Sequence, residues 1–424
     1  MLEPTLIRED PDAVRRGLRA KRIDGAEAAL DAWLLADEEY RLLRADLEAK
    51  QAHRNRESKR IGEAKRAGED ASEAIRVMGE LAAEVKRLEE RERALADRLE
   101  RLQLDLPNLP HASVPVGESE HDNVVVKEWS GAAAPEDAAP HWTTMGDWGW
   151  LDAEAGARVA GAGFPVLRGG AARLVRGLER YFLDVLQEAG YLEVRVPYLA
   201  NEASAIATGQ LPDKEGQMYR VDDGFYLIPT SEVAVTNLHR DAILDADALP
   251  LRYAASTPCF RREAGSYGKD VRGLNRVHQF DKVEMVAFAA ADASYAHLEA
   301  MTELSEGLLE ALGLTYRRLS MCTADMGFTQ AKKYDLEVWS PGQERWLEVS
   351  SVSNLTDFQA RRLQVRARAG GAQGSGKPAL VHTLNGSALA MPRTVAALVE
   401  TYAGPDGLQV PEVLVPYVGA GPLR

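Results

Sequence analysis

Cysteine is scarce in this sequence. Its 424 residues include only two cysteines, Cys259 and Cys322, too few for the disulfide framework of a small secreted domain or for a cysteine zinc cluster. We therefore expect both thiols to be reduced and partly buried, with no catalytic role. No zinc site is expected.

Long apolar runs are also missing, although 45% of the residues are hydrophobic. No run approaches the roughly 20 residues that a membrane-spanning helix needs. The acidic stretch Met1 to Asp12 lacks the basic and apolar regions of a signal peptide. We expect a protein with no membrane partner and a cytoplasmic location, long enough for two or three domains with a large core.

An overall excess of positive charge is absent, since the net charge is −14. That balance argues against nucleic-acid binding, because phosphate contacts need Lys and Arg. One stretch is an exception: residues 50–66 carry seven basic and two acidic side chains, a local +5 that leaves −19 to the rest. A polyanion would bind at this stretch. Its basic residues are Lys50, Arg54, Arg56, Lys59, Arg60, Lys65 and Arg66.

Proline is missing from Ala28 to Gln103, where the composition is typical of long helices. Apolar residues recur there three and four positions apart, as in a coiled-coil seam. Gly62, Gly68 and Asp70 indicate a reversal between two helices. Residues 1–105 therefore predict a helical arm domain with a long antiparallel coiled coil of roughly 50 to 60 Å. The two apolar series are Trp33, Ala36, Tyr40, Leu43 and Leu47, then Met78, Leu81, Val85, Leu88, Leu95, Leu99 and Leu102.

The basic stretch 50–66, hereafter the arm tip, lies where the apolar seam ends. A solvated coiled-coil surface is the ordinary explanation of a charged run. Here the loss of the seam coincides with an excess of one sign, so we favour a binding surface for a partner.

The chain changes character after the helices. Residues 106–140 are rich in Pro, Gly and Ala, which is typical of a linker. Residues 141–424 mix strands and helices without regular alternation or a glycine fingerprint, which disfavours a doubly wound dinucleotide fold. We expect a second domain there, with an antiparallel sheet flanked by helices, so the fold class is α+β.

Two predicted strands in this domain flank a polar loop. TPCFRRE (257–263) leads through residues 264–273 to NRVHQFDKVEMV (275–286). Alternate residues of a strand share a face, so Arg261 should point with Glu263, and Phe280 with Glu284. Such a face offers a guanidinium for anionic oxygen, an aromatic plane for a base and a carboxylate for an ammonium. The alternative is a half-exposed sheet face with ordinary surface charges; we interpret His278 within it as structural.

Three further segments favour the functional interpretation. Thr230 and Glu232 stand beside a predicted turn, where they suit an amino acid's ammonium group. Glu348 and Ser350 are expected on one strand face, where the carboxylate could hold Mg²⁺. The last segment aligns its polar residues Thr383, Asn385 and Ser387, and its helix, opened by Pro392, puts Arg393 in the first turn, where anions bind.

These segments resemble the motifs of a known family. FRRE with its loop and the following strand, and NGSALAMPRT with its helix, look like motifs 2 and 3 of class II aminoacyl-tRNA synthetases. TSE, TPCFRREAGSYGKD, HQFDKVE, SSVSN, TDFQARR and HTLNGS are similar to seryl-tRNA synthetases in particular. The resemblance covers essentially the whole chain, since that family also has an N-terminal coiled-coil arm. It implies the class II synthetase sheet for residues 141–424.

The resemblance implies roles for individual residues. The reaction would convert serine and ATP, with Mg²⁺, to seryl-adenylate and then charge tRNA(Ser), with tRNA(Sec) as an open second partner. Catalysis would fall to Arg261, Glu348 and Arg393, with Glu348 as the Mg²⁺ ligand. The serine site would comprise Thr230, Ser231, Glu232, Arg261, Glu284, Asn385 and Ser387. ATP would meet Arg261, Arg262, Glu263, Val277, Phe280, Glu348, Val349, Ser350, Ser351 and Arg393. The arm tip, Lys269 and Arg272 would bind tRNA.

Leu178 to Leu199 resembles motif 1, which implies a homodimer. Two rival functions remain at this point: a ligase that delivers serine to a carrier protein, and a non-catalytic tRNA-binding paralogue. The long arm disfavours the first, and the presence of Arg261, Glu348 and Arg393 disfavours the second.

Overall fold

The computed structural model of the chain describes residues 1–213, 216–264 and 272–424. It divides into two compact units, Met1–Pro107 and Asn108–Arg424. Its helices are α1 Pro4–Glu9, α2 Pro11–Lys21, α3 Ala26–Ala67, α4 Ser72–Leu104, α5 His141–Asp147, α6 Ala153–Ala160, α7 Gly170–Glu188, α8 Glu202–Thr208, α9 Glu232–Thr236, α10 Ser294–Ala311, α11 Phe358–Leu363, α12 Met391–Tyr402 and α13 Val415–Val418.

The N-terminal unit is built on α3 and α4, which pack against each other along their lengths. The predicted seam is confirmed, since Leu43, Leu47, Val85 and Leu95 are buried. With 42 residues, α3 is about 63 Å long at 1.5 Å per residue. The helical arm expected from the sequence is therefore present.

The reversal between the two helices lies at residues 68–71. Gly68 ends α3 in the left-handed conformation, with φ of 76°, and its N–H donates to carbonyls of the last turn. Gly62, by contrast, lies within α3, which continues to Ala67. Of the glycines in the expected reversal, only Gly68 makes the turn.

The strands of the second unit form one large sheet and several small pairs. The strands are β1 Val124–Trp129, β2 Leu151–Asp152, β3 Val166–Leu167, β4 Leu192–Glu193, β5 Leu199–Ala200, β6 Tyr226–Leu227, β7 Ile243–Asp245, β8 Leu251–Phe260, β9 Gln279–Ala289, β10 Tyr316–Ser320, β11 Lys332–Ser340, β12 Arg345–Asn354, β13 Arg366–Arg368, β14 Ala379–Leu380, β15 His382–Ala390, β16 Ala403–Gly404 and β17 Gly407–Leu408.

The large sheet has the order β1-β10-β11-β12-β15-β9-β8-β4 in the described residues. Its neighbours pair antiparallel except β4 and β8, which are parallel. The α+β fold with an antiparallel sheet is thus confirmed. The main core joins the sheet to α7, α10 and α12, through residues such as Phe182, Leu298 and Leu398.

The segment expected as a linker contains regular structure. Residues 124–129 form β1, an edge strand paired with β10, although the rest of 106–140 is mostly turns and loops. Val124, Val125 and Val126 are each more than two-fifths exposed, so burial gives this strand no alternating pattern for sequence reasoning to detect.

Both cysteines are buried and unpaired, as expected. Within the described ranges, no helix is long and apolar enough to cross a membrane.

Candidate active site

The site lies on the central strands β9, β12 and β15 and on the segment that follows β8. Strand β8 ends at Phe260 and β9 begins at Gln279. Arg261, Glu263, Arg276 and His278 therefore lie beyond the strand ends. Phe280 and Glu284 share one face of β9, as predicted. The four residues beyond the strand ends are positioned by contacts of the loop instead.

Arg261 is held at the end of β8 by three contacts. Its Nε donates to the Pro229 carbonyl at 3.3 Å, and its backbone N–H donates to the His278 carbonyl at 2.9 Å. The Arg261 carbonyl accepts from Nδ1 of His278 at 3.0 Å, so His278 acts as a structural support. The guanidinium carbon lies 5.2 Å from the centre of the Phe280 ring. A cation and an aromatic plane thus stand side by side.

Glu263 adopts a left-handed backbone conformation, with φ of 48°. Its carboxylate pairs with Arg276 at 2.8 Å. The prediction that Arg261 and Glu263 share one face of a strand does not hold, because the strand ends at Phe260 and Glu263 turns to Arg276.

A buried polar pocket adjoins Arg261. Glu232 and Glu284 are 6% and 1% exposed, and Nδ2 of Asn385 donates to both carboxylates at 3.1 Å. The Ser387 hydroxyl donates to Glu284 at 3.3 Å. The predicted alignment of Asn385 and Ser387 on one face of β15 is confirmed, because Ser387 pairs with Glu284 and Asn385 with Val286 in the neighbouring strand.

Two buried polar atoms in this pocket make no hydrogen bond to the described residues. In the described part of the chain, Oγ of Ser231 and Oδ1 of Asn385 are buried without a hydrogen bond. Buried polar atoms usually have partners, so these two indicate space for a polar ligand.

Burial raises the pKa of Glu232 to about 7, and the neighbouring Glu284 adds to the effect. Nε2 of Gln359 donates to Glu232 at 2.6 Å and opposes this shift. The oxygen of the Gln359 amide in turn accepts from Thr383 at 2.7 Å. A carboxylate that is half protonated near neutral pH can respond to an incoming cation.

Strand β12 carries an extra residue at the site. Glu348 pairs with Glu337 in β11, but Ser350 pairs with Leu336, so Val349 has no partner of its own. This β-bulge reverses the alternation. The expectation that Glu348 and Ser350 share a face is wrong: Ser350 lies on the core side with Val349, and its hydroxyl donates to the Ser387 carbonyl at 2.6 Å.

Glu348 shares its face with Ser351 instead, which pairs with Asp335. The Glu348 side chain is 46% exposed. Asp335 is buried and pairs with Lys333 at 2.9 Å. Burial raises the pKa of Asp335, and the neighbouring Lys333 opposes this shift. The exposed carboxylate therefore stands beside a buried, charge-balanced pair.

Arg393 occupies the first turn of α12, as predicted. Its Nη1 donates to the Glu348 carbonyl at 2.8 Å and lies 4.0 Å from the Glu348 carboxylate. Its Nε donates to the Asn275 carbonyl at 3.0 Å. Arg393 thereby connects β12 with the segment that follows the loop.

A buried hydrogen-bond network holds Leu274 and Asn275, the residues that follow the loop. Nδ1 of His141 lies 2.8 Å from Glu400 on α12, and Nε2 of His141 accepts from the Leu274 N–H at 2.9 Å. Gln343 donates to Glu400 and accepts from Asn275. Because Nε2 of His141 is an acceptor, Nδ1 must carry the proton.

An apolar cavity of about 340 Å³ lies beside the Phe280 ring. Its lining includes Val277, Phe280, Leu274 and Pro392. This cavity suits a flat apolar group such as a purine base.

Most of the site residues selected from the sequence converge on this region. Val349 is in the core, and Arg262 contributes a backbone N–H to the Gln217 carbonyl at 2.9 Å. Arg272 is exposed, and Lys269 lies outside the described residues. Sequence reasoning assigned no role to the supporting groups Lys282, Gln359, His141 and Glu400, since each depends on a partner from another element. Across the described ranges, no cluster of three or more His, Cys, Asp or Glu is arranged for a metal.

The chain resembles known proteins over its whole length. Residues 1–110 match the family model of the seryl-tRNA synthetase N-terminal domain, and residues 218–402 match that of the tRNA synthetase class II core domain (G, H, P, S and T). The serine–tRNA ligase of Salinibacter ruber is 52% identical over 424 residues, with 99% of this chain and 98% of that protein covered. That of Exiguobacterium sibiricum is 47% identical over 423 residues, covering 99% and 98%.

Two solved structures are similar in fold. The seryl-tRNA synthetase from Pyrococcus horikoshii complexed with ATP has a TM-score of 0.94 and 34% identity, with both chains fully covered. The cytoplasmic serine–tRNA ligase from Naegleria fowleri in complex with AMP has a TM-score of 0.89 and 27% identity, covering 100% of this chain and 98% of that one.

Proposed function

The chain belongs to the seryl-tRNA synthetase family, and from that premise we propose that it is a serine–tRNA ligase. It activates L-serine with ATP and transfers the seryl group to the 3′ end of tRNA(Ser). The observation that carries the proposal is the pocket in which Asn385 joins two buried carboxylates, Glu232 and Glu284, next to Arg261.

The pocket suits a small amino acid that bears a hydroxyl group. Glu232 and Glu284 receive the substrate ammonium, and Thr230, Ser231 and Ser387 offer hydroxyl groups. A pocket of this kind rejects alanine, because polar groups left unpaired in a buried site cost binding energy. Serine is therefore read by hydrogen bonds.

Activation follows from positioning and charge. A carboxylate oxygen of serine attacks the α-phosphorus of ATP, the bond to the bridging oxygen breaks, and pyrophosphate leaves. Arg261 neutralises the carboxylate and the α-phosphate, and Arg393 at the start of α12 binds the γ-phosphate. Phe280 and Val277 hold the adenine, with Glu263 and Ser351 nearby. Positioning of serine and ATP, together with neutralisation of their negative charge, supplies most of the rate acceleration, so no general base is needed.

Glu348 suits a magnesium ion that accompanies ATP. Its half-exposed carboxylate is a hard oxygen donor, and the Ser351 hydroxyl lies on the same face. Mg²⁺ prefers one or two carboxylates together with phosphate oxygens. Bound there, the ion would neutralise phosphate charge.

The arm tip binds tRNA. Arg56, Lys59, Arg60, Lys65 and Arg66 are exposed, and among the described residues Arg54, Arg56, Lys59, Lys65 and Arg66 make no ion pair. Their charge remains available for phosphates. Lys269 and Arg272, in the loop between β8 and β9, contact the tRNA end.

The protein acts as a cytoplasmic homodimer. The segment after α7 exposes the apolar residues Leu192 and Leu199, at 62% and 47%. Exposed apolar residues of this kind are suited to an interface with a second copy.

The first experiment is amino-acid-dependent exchange of pyrophosphate into ATP, with serine, threonine, alanine or glycine as the substrate. Charging of bulk tRNA follows. We expect exchange with serine alone, together with charging. Exchange without charging would favour delivery to a carrier protein. Neither activity in folded protein would favour a tRNA-binding paralogue.

Deletion of residues 51–68 separates the two steps. Exchange should persist while charging is lost, since the deletion removes the arm tip and leaves the pocket untouched. Equal loss of both activities would contradict the role of the arm tip.

A further inference from the structure

Lys282 is a buried cation in the wall of the serine pocket. It lies on β9, two residues before Glu284, so both side chains project from one face. Its side chain is 7% exposed. Lysine is seldom buried to this extent unless its charge is balanced.

Two pocket residues receive the ammonium of Lys282. Nζ lies 2.5 Å from Oε2 of Glu284 and donates to the Thr230 hydroxyl at 3.1 Å. Thr230 also accepts from the Glu232 N–H at 3.3 Å. Lys282 thus links the strand β9 to the turn before α9, which supplies the other carboxylate.

The pocket needs this cation because its two carboxylates are close together. Glu232 and Glu284 share one Asn385 amide group. Neighbouring buried carboxylates avoid a double negative charge by sharing a proton. A shared proton would remove the negative charge that a substrate ammonium needs.

We propose that Lys282 is a positioning residue that offsets the negative charge of Glu284 beside Glu232 and so holds the Glu284 carboxylate in place for the ammonium of serine. The inference rests on the proposed function. It adds a residue that acts through Glu284 and Thr230 without a requirement to touch the substrate.

The surrounding charges fit this role. On neighbouring elements, Arg261 after β8 and Glu232 on α9 act electrostatically within the pocket, and the Cys259 thiol on β8 is buried beside Lys282 and Arg261. Strand β15 contributes the neutral Asn385 and Ser387. Above the pKa of Glu232, which is about 7, Lys282 and Arg261 balance the two carboxylates, and zwitterionic serine leaves the balance unchanged.

The test is serine-dependent pyrophosphate exchange by the full chain at several pH values between about 6.5 and 9, for the wild type, Lys282→Met, Lys282→Gln and Lys282→Arg. The two neutral variants should raise KM for serine by roughly 10- to 100-fold at pH 7, because the carboxylate pair then holds a proton. The ratio of KM for serine in these variants to KM in the wild type should fall about tenfold per pH unit as the pH rises. Lys282→Arg, which keeps the charge, should stay within about fivefold of the wild type.

The design separates charge from folding. Lys282→Gln retains hydrogen-bonding groups and serves if Lys282→Met does not fold. Lys127→Met is the control, since Lys127 is likewise a strand lysine in an ion pair: it lies in β1 and binds Glu306 and Glu310 at 2.9 and 3.1 Å. Its KM for serine should not change.

A deficit that is the same at every pH, or that raises KM for ATP equally, would overturn the role of Lys282. Absence of serine-dependent exchange in the wild type would instead overturn the proposed function, so the two failures are distinguishable.

Discussion

In the arm tip, most of the charged side chains are exposed to solvent, whereas in the serine pocket Lys282, Glu232 and Glu284 are buried. Arg60 at the tip is 75% exposed and its pairing with Glu57 is local, but Lys282 and Glu284 are 7% and 1% exposed. Exposed charges act through their number and are screened by salt. Buried charges act through geometry and respond to protonation. The two regions should therefore fail in different ways when they are altered.

The largest effect is expected from Arg261→Met. Loss of the guanidinium should lower the exchange rate by roughly 10² to 10³-fold, because a positioned donor to developing charge contributes that much in a buried site. Exchange kinetics measure the change. Arg252→Met, at the other end of β8, is the control, since Arg252 donates to the Ala189 carbonyl at 3.0 Å and its loss should leave KM for serine and ATP unaltered. Equal losses in both variants would contradict the assignment.

Neutralisation of the arm tip should come next. Conversion of Arg56, Lys59, Arg60, Lys65 and Arg66 to Gln should raise KM for tRNA by roughly 10- to 100-fold and make the salt dependence of binding less steep. Exchange should be unchanged. Charging at several salt concentrations provides the measurement, and an unchanged salt slope would show that these residues do not contact phosphates.

The His141 network should affect stability and the ATP step. His141→Phe leaves the Leu274 N–H without its acceptor and removes one of several donors to Glu400, which should cost about 2 kcal/mol of unfolding free energy. KM for ATP should also rise, since the network supports the Asn275 carbonyl that holds Arg393. Denaturant unfolding and exchange measure the two effects. His121→Phe, at an exposed histidine, should show neither.

The serine pocket should respond to pH where the arm tip does not. Since the pKa of Glu232 is raised to about 7, a larger fraction is neutral at lower pH and binds the ammonium poorly. Below pH 7, kcat/KM for serine should therefore rise with pH by up to about tenfold per unit, then level off. Glu232→Gln should flatten the profile; a steep profile that persists in this variant would assign the titration elsewhere. The Lys and Arg side chains of the arm tip stay charged throughout this range.

The smallest effect is expected along the coiled coil. Arg91 on α4 pairs with Glu39 on α3 at 2.6 Å, but the side chains are 61% and 42% exposed. Arg91→Ala should change the stability of the full chain by less than about 0.5 kcal/mol. Thermal unfolding, followed by the circular dichroism signal of the helices, measures this change in stability. A loss several times larger would show that exposed pairs hold the arm together more than its apolar seam does.

The sequence predicts the arm well because each helix repeats one local pattern. Leu43 and Val85 are buried where the three-and-four spacing puts them. In the second unit, alternation succeeds on β15 for Asn385 and Ser387, which lie within a regular stretch of strand. The fold class and the main site segments follow from such local signals together with the family resemblance.

Alternation fails where the strand is interrupted. Arg261 and Glu263 lie past the end of β8, and Ser350 turns inward because of the extra residue in β12. Lys282 and Gln359 could be recognised only once distant segments are folded together. Gln359 donates to Glu232 on α9, and Lys282, although it pairs with Glu284 on its own strand, also donates to Thr230 before α9. Such roles depend on tertiary contacts that no spacing records.

The bulge in β12 also bears on how this chain tolerates changes of length. Leu347, Val349 and Val352 all pack in the core, and they can do so only because one additional residue shifts the count between them. Insertion or deletion of a single residue in this stretch would exchange its inner and outer sides, and Glu348 would lose its place even if every amino acid type were retained. The number of residues between two core positions is therefore as much a determinant of this site as the identity of any side chain in it.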